Sequence, residues 1–357
     1  MTGSLHLRRF LILAIACLAA PAVAFAAGKT IGVVAPLSGE ARILGQQIVA
    51  GASAAARDAN VKLFMVDEQC DPAGGRSAAE RLIAENASAA IGFLCTEGLE
   101  AALPLLKEKR ILVITVGARA DGLTDKHAKT GWPLLRLAPR TDAEATAAAT
   151  MLTRRWREEN FAILDDGTIA GRTLAEAVRA ESERSGLKPV FVDTFRPDMD
   201  NQVALVGRLR RAGATHAFVG GDRRDVAVIA RDAAARGIEL TLAAGESLRS
   251  GESDVPLAQG VLMVGLPEWA EIASPAALAA LARNAVIAEG YVLPAYAALE
   301  IARAAPDSSG DLLAALVGRD FSTALGPLRF DANGDLTKSF YALYRYDGSR
   351  FAPVEDQ

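Results

Sequence analysis

Short β-branched runs alternate along the chain with Ala-rich stretches whose apolar residues recur at helical spacing. Residues 30–34, 62–66, 89–94 and 111–116 read as strands. Residues 46–58, 77–85 and 97–109 read as helices, the last interrupted by Pro104. This βαβαβα order predicts a parallel sheet with helices on both faces and right-handed crossovers. The rhythm then restarts. Thr141 and Glu144 stand at capping-box spacing ahead of a helix to about residue 157. Strands at 161–164, 190–194, 216–219 and 239–243 alternate with helices at 172–185, 202–211 and 225–235, the first of these closed by Gly186. After Leu266 the pattern turns helical, at 275–289, 294–304 and 311–317. It closes on strands at 328–330 and 339–346. The expected fold class is therefore α/β, with two Rossmann-like lobes built on parallel sheets. Ligands of open α/β sheets bind outside the carboxyl ends of the strands, so two such sheets facing each other make a cleft.

The amino end changes the compartment. Arg8 and Arg9, the apolar run 10–20 and Ala24-Phe25-Ala26 form the pattern of a secretory signal peptide, residues 1–26, cleaved after Ala26. The run is short for a membrane span of about 20 residues. Cys17 lies within it as a poor lipoprotein site, so a soluble periplasmic chain is expected ahead of a lipoprotein. Loss of Arg8 and Arg9 moves the formal charge from −4 to −6. A mildly acidic chain without basic clusters has no footprint for nucleic acid. The remaining length exceeds what one core usually serves, so two domains are expected. Cys70 and Cys95 are the two cysteines left, and in an exported chain they are a candidate disulfide. Closing that loop stabilises by about 3 kcal/mol in the chain-entropy model.

Enzyme chemistry finds little support. His127 and His216, the histidines beyond the leader, lack neighbours at metal-ligand spacing. No Gly-x-Ser-x-Gly elbow, phosphate loop or dinucleotide fingerprint is present. Asp331-Ala332-Asn333-Gly334-Asp335 lacks the distal Glu of a calcium loop and reads as a turn. No metal or cofactor is expected.

The loops after the strands carry more. Leu94-Cys95-Thr96 ends one strand and opens a helix. Thr96 either caps that helix while free amides receive an anion, or caps it with no ligand. Gly117-Ala118-Arg119 ends the next strand. Its small residues permit close approach, and Arg119 either clamps a carboxylate or pairs with Glu97. In the second unit, Asp222 and Arg223 follow Gly220-Gly221 and either face the cleft or are solvated. Glu246 is either a surface acid or a partner for a ligand ammonium.

These residues resemble the periplasmic leucine/isoleucine/valine-binding proteins of ABC transporters, within the type I periplasmic binding fold, from about Thr30 to Asp347. The resemblance rests on Pro36-Leu37-Ser38-Gly39 with Gly45, and on Cys70-Asp71-Pro72 with Gly92-Phe93-Leu94-Cys95. It rests further on residues 111–117 followed by Leu123-Thr124, and on residues 326–331 with Gly334-Asp335. It implies two lobes joined by three crossings, near Leu137, Gly265 and Leu328. The first lobe would be 27–137 with 267–327, and the second 138–266 with 328–357. It implies a Cys70–Cys95 disulfide, a small-molecule ligand, a membrane permease as partner and a monomeric chain. By position, Thr96 with Leu94 and Cys95 would hold a ligand carboxylate, and Glu246 its ammonium. Gly117 matches a small position, while Arg119 stands where a hydroxyl belongs. Ala170 and either Arg223 or Asp222 replace aromatic contacts, and Leu44 stands at a bulky one. An unpaired buried arginine costs several kcal/mol. The added arginines therefore suggest a polar or acidic amino-acid-like ligand ahead of another small organic acid or a branched-chain amino acid, unless Arg119–Glu97 or Arg223–Asp222 pairs absorb the charge. A sensory receptor of the same fold is the alternative to a transport component.

Overall fold

The computed structural model describes residues 29–354 apart from 58, 60, 252 and 307–311. The leader, Cys17 and the start of the 311–317 segment lie outside the described residues. In chain order the first unit contains β1 (Lys29–Ala35), α1 (Arg42–Ala56), β2 (Val61–Asp67), α2 (Pro72–Ala84), β3 (Ala89–Gly92), α3 (Thr96–Glu108) and β4 (Leu112–Thr115). The short α4 (Gly122–Asp125) and α5 (His127–Thr130) precede β5 (Leu134–Arg136). The second unit follows as α6 (Ala143–Arg155), β6 (Phe161–Asp165), α7 (Ile169–Arg184), β7 (Phe191–Thr194), α8 (Val203–Arg211), β8 (His216–Gly220), α9 (Arg223–Ala234), β9 (Thr241–Ala244) and β10 (Leu262–Gly265). Then come α10 (Trp269–Ile272), α11 (Pro275–Arg283), α12 (Val292–Ala304), β11 (Phe321–Thr323), β12 (Gly326–Leu328), β13 (Ala342–Tyr346) and β14 (Phe351–Pro353).

The first sheet is parallel, in the order β2-β1-β3-β4-β5. The second runs β14-β13-β10-β9-β8-β6-β7, and its pairings are parallel except for the antiparallel β10–β13 and β13–β14 pairs. Ile31, Val33 and Val34 on β1 have no exposed surface, because helices cover both faces of the sheet. One core sits between the first sheet, α1 and α12, with β11, β12 and their flanks included. A second, behind the same sheet, is closed by α2 and α3. Two further cores lie on the two faces of the second sheet. Among the described residues the chain passes between the sheets after β5, after β10 and between β12 and β13. No described helix is long and apolar enough to cross a membrane.

α2 and α3 cross very closely. A Cβ on Gly75 would stand 2.0 Å from the Gly98 carbonyl oxygen, so only hydrogen fits there. That approach brings the end of β2 beneath the start of α3.

Several sequence expectations need correction. The Thr141/Glu144 capping box does not form. α6 starts at Ala143 without a side-chain cap, and the Thr141 hydroxyl and amide both donate to the Arg119 carbonyl at 3.0 Å. Glu144 instead accepts the Glu246 amide, a tertiary contact that overrides the local cap. The helix expected over 275–289 stops at Arg283. Asn284 caps it through the Ala280 carbonyl, and Ala285 takes the left-handed region at φ 53°. The described part of 311–317 folds as turns. β14 was not anticipated; it is an edge strand short enough to carry Pro353.

Candidate ligand-binding site between the two sheets

The loops at the carboxyl ends of the strands gather at the junction. Thr115, buried at the end of β4, donates its hydroxyl to the Phe93 carbonyl at 2.8 Å and receives the Ala118 amide at 3.0 Å. This ties the β3 and β4 loops together. Gly117 lets Leu94 pack against it, since a Cβ there would lie 2.2 Å from Leu94 Cδ1. Ala118 is 1% exposed and belongs to the core rather than to a ligand surface.

Arg119 leaves this loop toward the second sheet. Its Nη2 donates to the Tyr341 hydroxyl at 2.5 Å and its Nε to the Pro139 carbonyl at 3.3 Å. The Arg119–Glu97 pair does not form, and among the described residues no carboxylate pairs with this guanidinium. The Tyr341 hydroxyl in turn donates to Glu246 Oε2 at 3.5 Å. Glu246 Oε1 accepts the Leu266 amide at 3.2 Å, and the Glu246 amide donates to Glu144 Oε1 at 2.7 Å. Burial pushes the Tyr341 hydroxyl well above the ordinary phenol range, and the Glu246 charge adds to this while Arg119 opposes it. Burial also raises Glu144, with Glu246 adding to the shift. Arg119 and Glu246 are thus brought together from different sheets around one buried tyrosine.

Beside Arg119 lies a cavity of about 250 Å³, walled by Val116, Gly117, Leu266, Trp269 and Tyr291. Its lining is apolar and aromatic, with the guanidinium as its strong polar feature. Trp269 is held edge-on against Phe340, ring centroids 5.1 Å apart. A larger hollow of about 420 Å³ beside Trp156 and His216 lies at the amino ends of the second-sheet strands, the end away from these loops.

The β3 loop differs from expectation. Cys95, not Thr96, is the N-cap of α3, and no side chain caps the helix. The Leu94 amide turns inward to Glu68 Oε1 at 2.6 Å and is not available to a ligand. Thr96 remains half-buried at the first helical position. Cys70 and Cys95 form the disulfide, with Cα atoms 5.0 Å apart.

The remaining candidates lie outside this group. Asp222 caps α9 by accepting the Asp225 amide at 3.0 Å. Arg223 donates to the Leu248 carbonyl at 2.6 Å and lies 5.5 Å from the centre of the Tyr346 ring. The Arg223–Asp222 pair therefore does not form. Ala170 is exposed in the first turn of α7, and Leu44, 38% exposed, lies near the start of α1; neither joins the Arg119–Tyr341–Glu246 group.

Sequence reasoning missed what supports the site. Arg136, fully buried at the end of β5, binds Asp335 bidentately through Nε at 2.7 Å and Nη2 at 3.0 Å. Its Nη1 donates to the carbonyls of Arg119 and Ala120 at 3.0 and 2.6 Å, which fixes the loop that presents Arg119. The available signal was one charge inside the apolar run Leu134-Leu135-Arg136-Leu137-Ala138. Asp331 accepts the Asn333 and Asp335 amides at 2.9 and 3.0 Å and shapes the turn that delivers Asp335. Tyr341, Trp269 and Tyr291 carried no local motif.

Comparison with known proteins agrees with this architecture. The Leu/Ile/Val-binding protein BraC3 of Rhizobium johnstonii is 28% identical over 349 residues, spanning 91% of this chain and 94% of that protein. A crystal structure of a putative branched-chain amino acid ABC transporter protein from Rhodospirillum rubrum superposes with a TM-score of 0.75 at 17% identity, covering 92% of this chain and 100% of that one. A solute-binding protein from Rhodopseudomonas palustris, solved with p-hydroxybenzoic acid, superposes with a TM-score of 0.62 at 18% identity, covering 92% and 96%. The fold is that of the type I periplasmic binding proteins, as the sequence resemblance implied. Residues 29–350 match the family model described as periplasmic binding protein, so the chain belongs to the periplasmic binding protein family, a family of binding proteins rather than enzymes.

Proposed function

We propose that this chain is the periplasmic substrate-binding component of an ABC importer, and that it holds a small carboxylate-bearing ligand in the gap between its two sheets. The observation that carries the reading is the Arg119 guanidinium, which meets a hydroxyl and a carbonyl but no carboxylate and lies beside a cavity. An arginine fork in that setting suits a ligand carboxylate. Glu246, joined to it through Tyr341, suits a ligand ammonium. Thr96 offers a hydroxyl from the neighbouring loop. The first lobe is taken as 27–137 with 267–327 and the second as 138–266 with 328–357. The lobes close on the ligand, and the closed, monomeric form docks on the permease. Residues 1–26 direct export and are removed.

The cavity favours a second ligand class. With Trp269, Tyr291, Val116 and Leu266 as walls, an aromatic or other apolar organic acid fills it better than a polar amino acid does. A thermal-shift screen of amino acids and aromatic acids tests both readings. A ligand at a hundredfold excess over its dissociation constant stabilises by about 2.7 kcal/mol, so a true ligand raises Tm by an easily measured amount. The proposal fails if no carboxylate in either class moves Tm.

A further inference from the structure

We propose that Glu68 is a protonation gate behind the carboxylate-receiving loop: ionised, it opposes a ligand carboxylate at the amino end of α3, and protonated, it admits one. The inference rests on the carboxylate-binding reading above and adds a control to that site.

Glu68 has no exposed surface. Its Oε1 accepts the Leu94 amide at 2.6 Å, while its Oε2 is buried without a hydrogen-bond partner. That free oxygen lies beneath the first turn of α3, only 3.0 Å from where a Cβ on Gly98 would stand. α3 is thirteen residues long and lacks a side-chain cap, so its amino end carries unsatisfied amides and the positive end of the helix dipole. Thr96, the residue offered to the ligand, opens that same turn. The helix end therefore faces one carboxylate from inside the protein and, in the bound state, a second from the cleft. Two anions sharing one positive helix end repel each other, and burial leaves little water to screen them.

The surroundings leave protonation as the release. Asp67, beside Glu68 on the same loop, is drawn upward by desolvation but held below its ordinary range by the Ser38 hydroxyl at 2.6 Å and the Leu37 and Gln69 amides at 2.9 Å. Its negative charge disfavours ionised Glu68. From α2, Asp71 is engaged with the Gly74 amide at 2.7 Å and Arg76 is exposed; on α3, Glu97 is exposed. β1 offers backbone only, through the Ala35 carbonyl that accepts the Glu68 amide. Cys70 and Cys95, whose sulfurs lie within 4.8 Å of the Glu68 carboxyl, are bonded to each other and do not titrate. Burial pushes Glu68 up to about 7, with the Leu94 and Cys95 amides opposing and Asp67 adding to the rise. In the binding step the ligand arrives with its carboxylate ionised and one proton from solvent joins the Glu68 carboxylate, with no other bond changed.

The test is calorimetry of the processed wild-type protein and of Glu68→Gln, with L-leucine and 4-hydroxybenzoate as probes, in buffers of differing ionisation enthalpy from about pH 5.5 to about pH 8.5. For wild type, binding takes up a proton near the alkaline end, and affinity falls at least about tenfold across the range. Glu68→Gln takes up none and keeps at high pH the affinity that wild type shows at low pH. Wild-type binding without proton uptake and without pH dependence overturns the gate while leaving carboxylate binding intact, and this arm needs no variant to fold. If neither probe binds either protein at any pH, the gate falls, while the carboxylate reading stands or falls with the wider thermal-shift screen.

Discussion

Two arginines at the junction of the sheets have opposite surroundings. Arg136 is fully buried, and its guanidinium is filled by both oxygens of Asp335, the Thr124 hydroxyl and two backbone carbonyls. Arg119 is half-buried, meets one hydroxyl and one carbonyl, and opens on a cavity. The first has no capacity left for a ligand. The second has no carboxylate at bonding distance, although Glu144 and Glu246 lie near enough to feel its charge. Residue type alone does not distinguish a structural charge from a binding one; the count of partners does. The two are also coupled, because Arg136 holds the carbonyl of Arg119 and so sets where the second guanidinium points.

The largest expected effect lies on the structural side. Arg136→Met leaves Asp335 buried with its main partner gone. Burial alone would raise the Asp335 pKa, and Arg136 is the foremost group holding it down. Urea unfolding should show a loss of about 3–5 kcal/mol. A loss under about 1 kcal/mol would mean that Arg140, which reaches Asp335 at 3.1 Å, suffices.

A pH effect of similar size belongs to Glu68. Its folded pKa of about 7 lies above the ordinary 4.5, so between those values the folded state binds more protons than the unfolded state. Stability therefore falls as pH rises across that window and is flat above it. The integrated loss is about 3 kcal/mol. Melting curves of wild type against Glu68→Gln should differ by this slope, and identical slopes would place the titration elsewhere.

The smallest effects on stability are the sharpest for function. Arg119→Ala should unfold near the wild-type midpoint yet bind its carboxylate at least about tenfold more weakly, or about 1.4 kcal/mol. Arg223→Ala, whose guanidinium already serves the Leu248 carbonyl and the Tyr346 ring, should change affinity by less than about threefold. The reverse ranking, read by calorimetry, would exchange the roles assigned to these two residues.

The repeating strand and helix periods made the two parallel sheets legible, because buried β-branched runs and Ala-rich helices announce themselves locally. Cys70 and Cys95 were legible as a candidate disulfide from the cysteine count and from the resemblance, and the bond between them is present. The site was legible only as a set of loops. Arg119 and Glu246 were placed by their position after strands, but Tyr341, which joins them, lies 222 residues from Arg119 and belongs to a strand-rich tail with no motif. Helix ends failed where a tertiary partner competed with a local cap, as when Glu144 turned from Thr141 to the Glu246 amide. The partner of Arg223 was illegible for the same reason: it is a backbone carbonyl 25 residues away, which residue type does not announce.

The claim underlying all of this is that the gap between the sheets selects a carboxylate through Arg119. Calorimetry of each acid against its own amide tests it most directly: L-leucine with leucinamide, and 4-hydroxybenzoate with 4-hydroxybenzamide. In whichever pair binds, the acid should be favoured by at least about a hundredfold, near 2.7 kcal/mol, and Arg119→Ala should erase most of that preference. Equal affinity for acid and amide, or a preference that survives the loss of Arg119, would contradict the account.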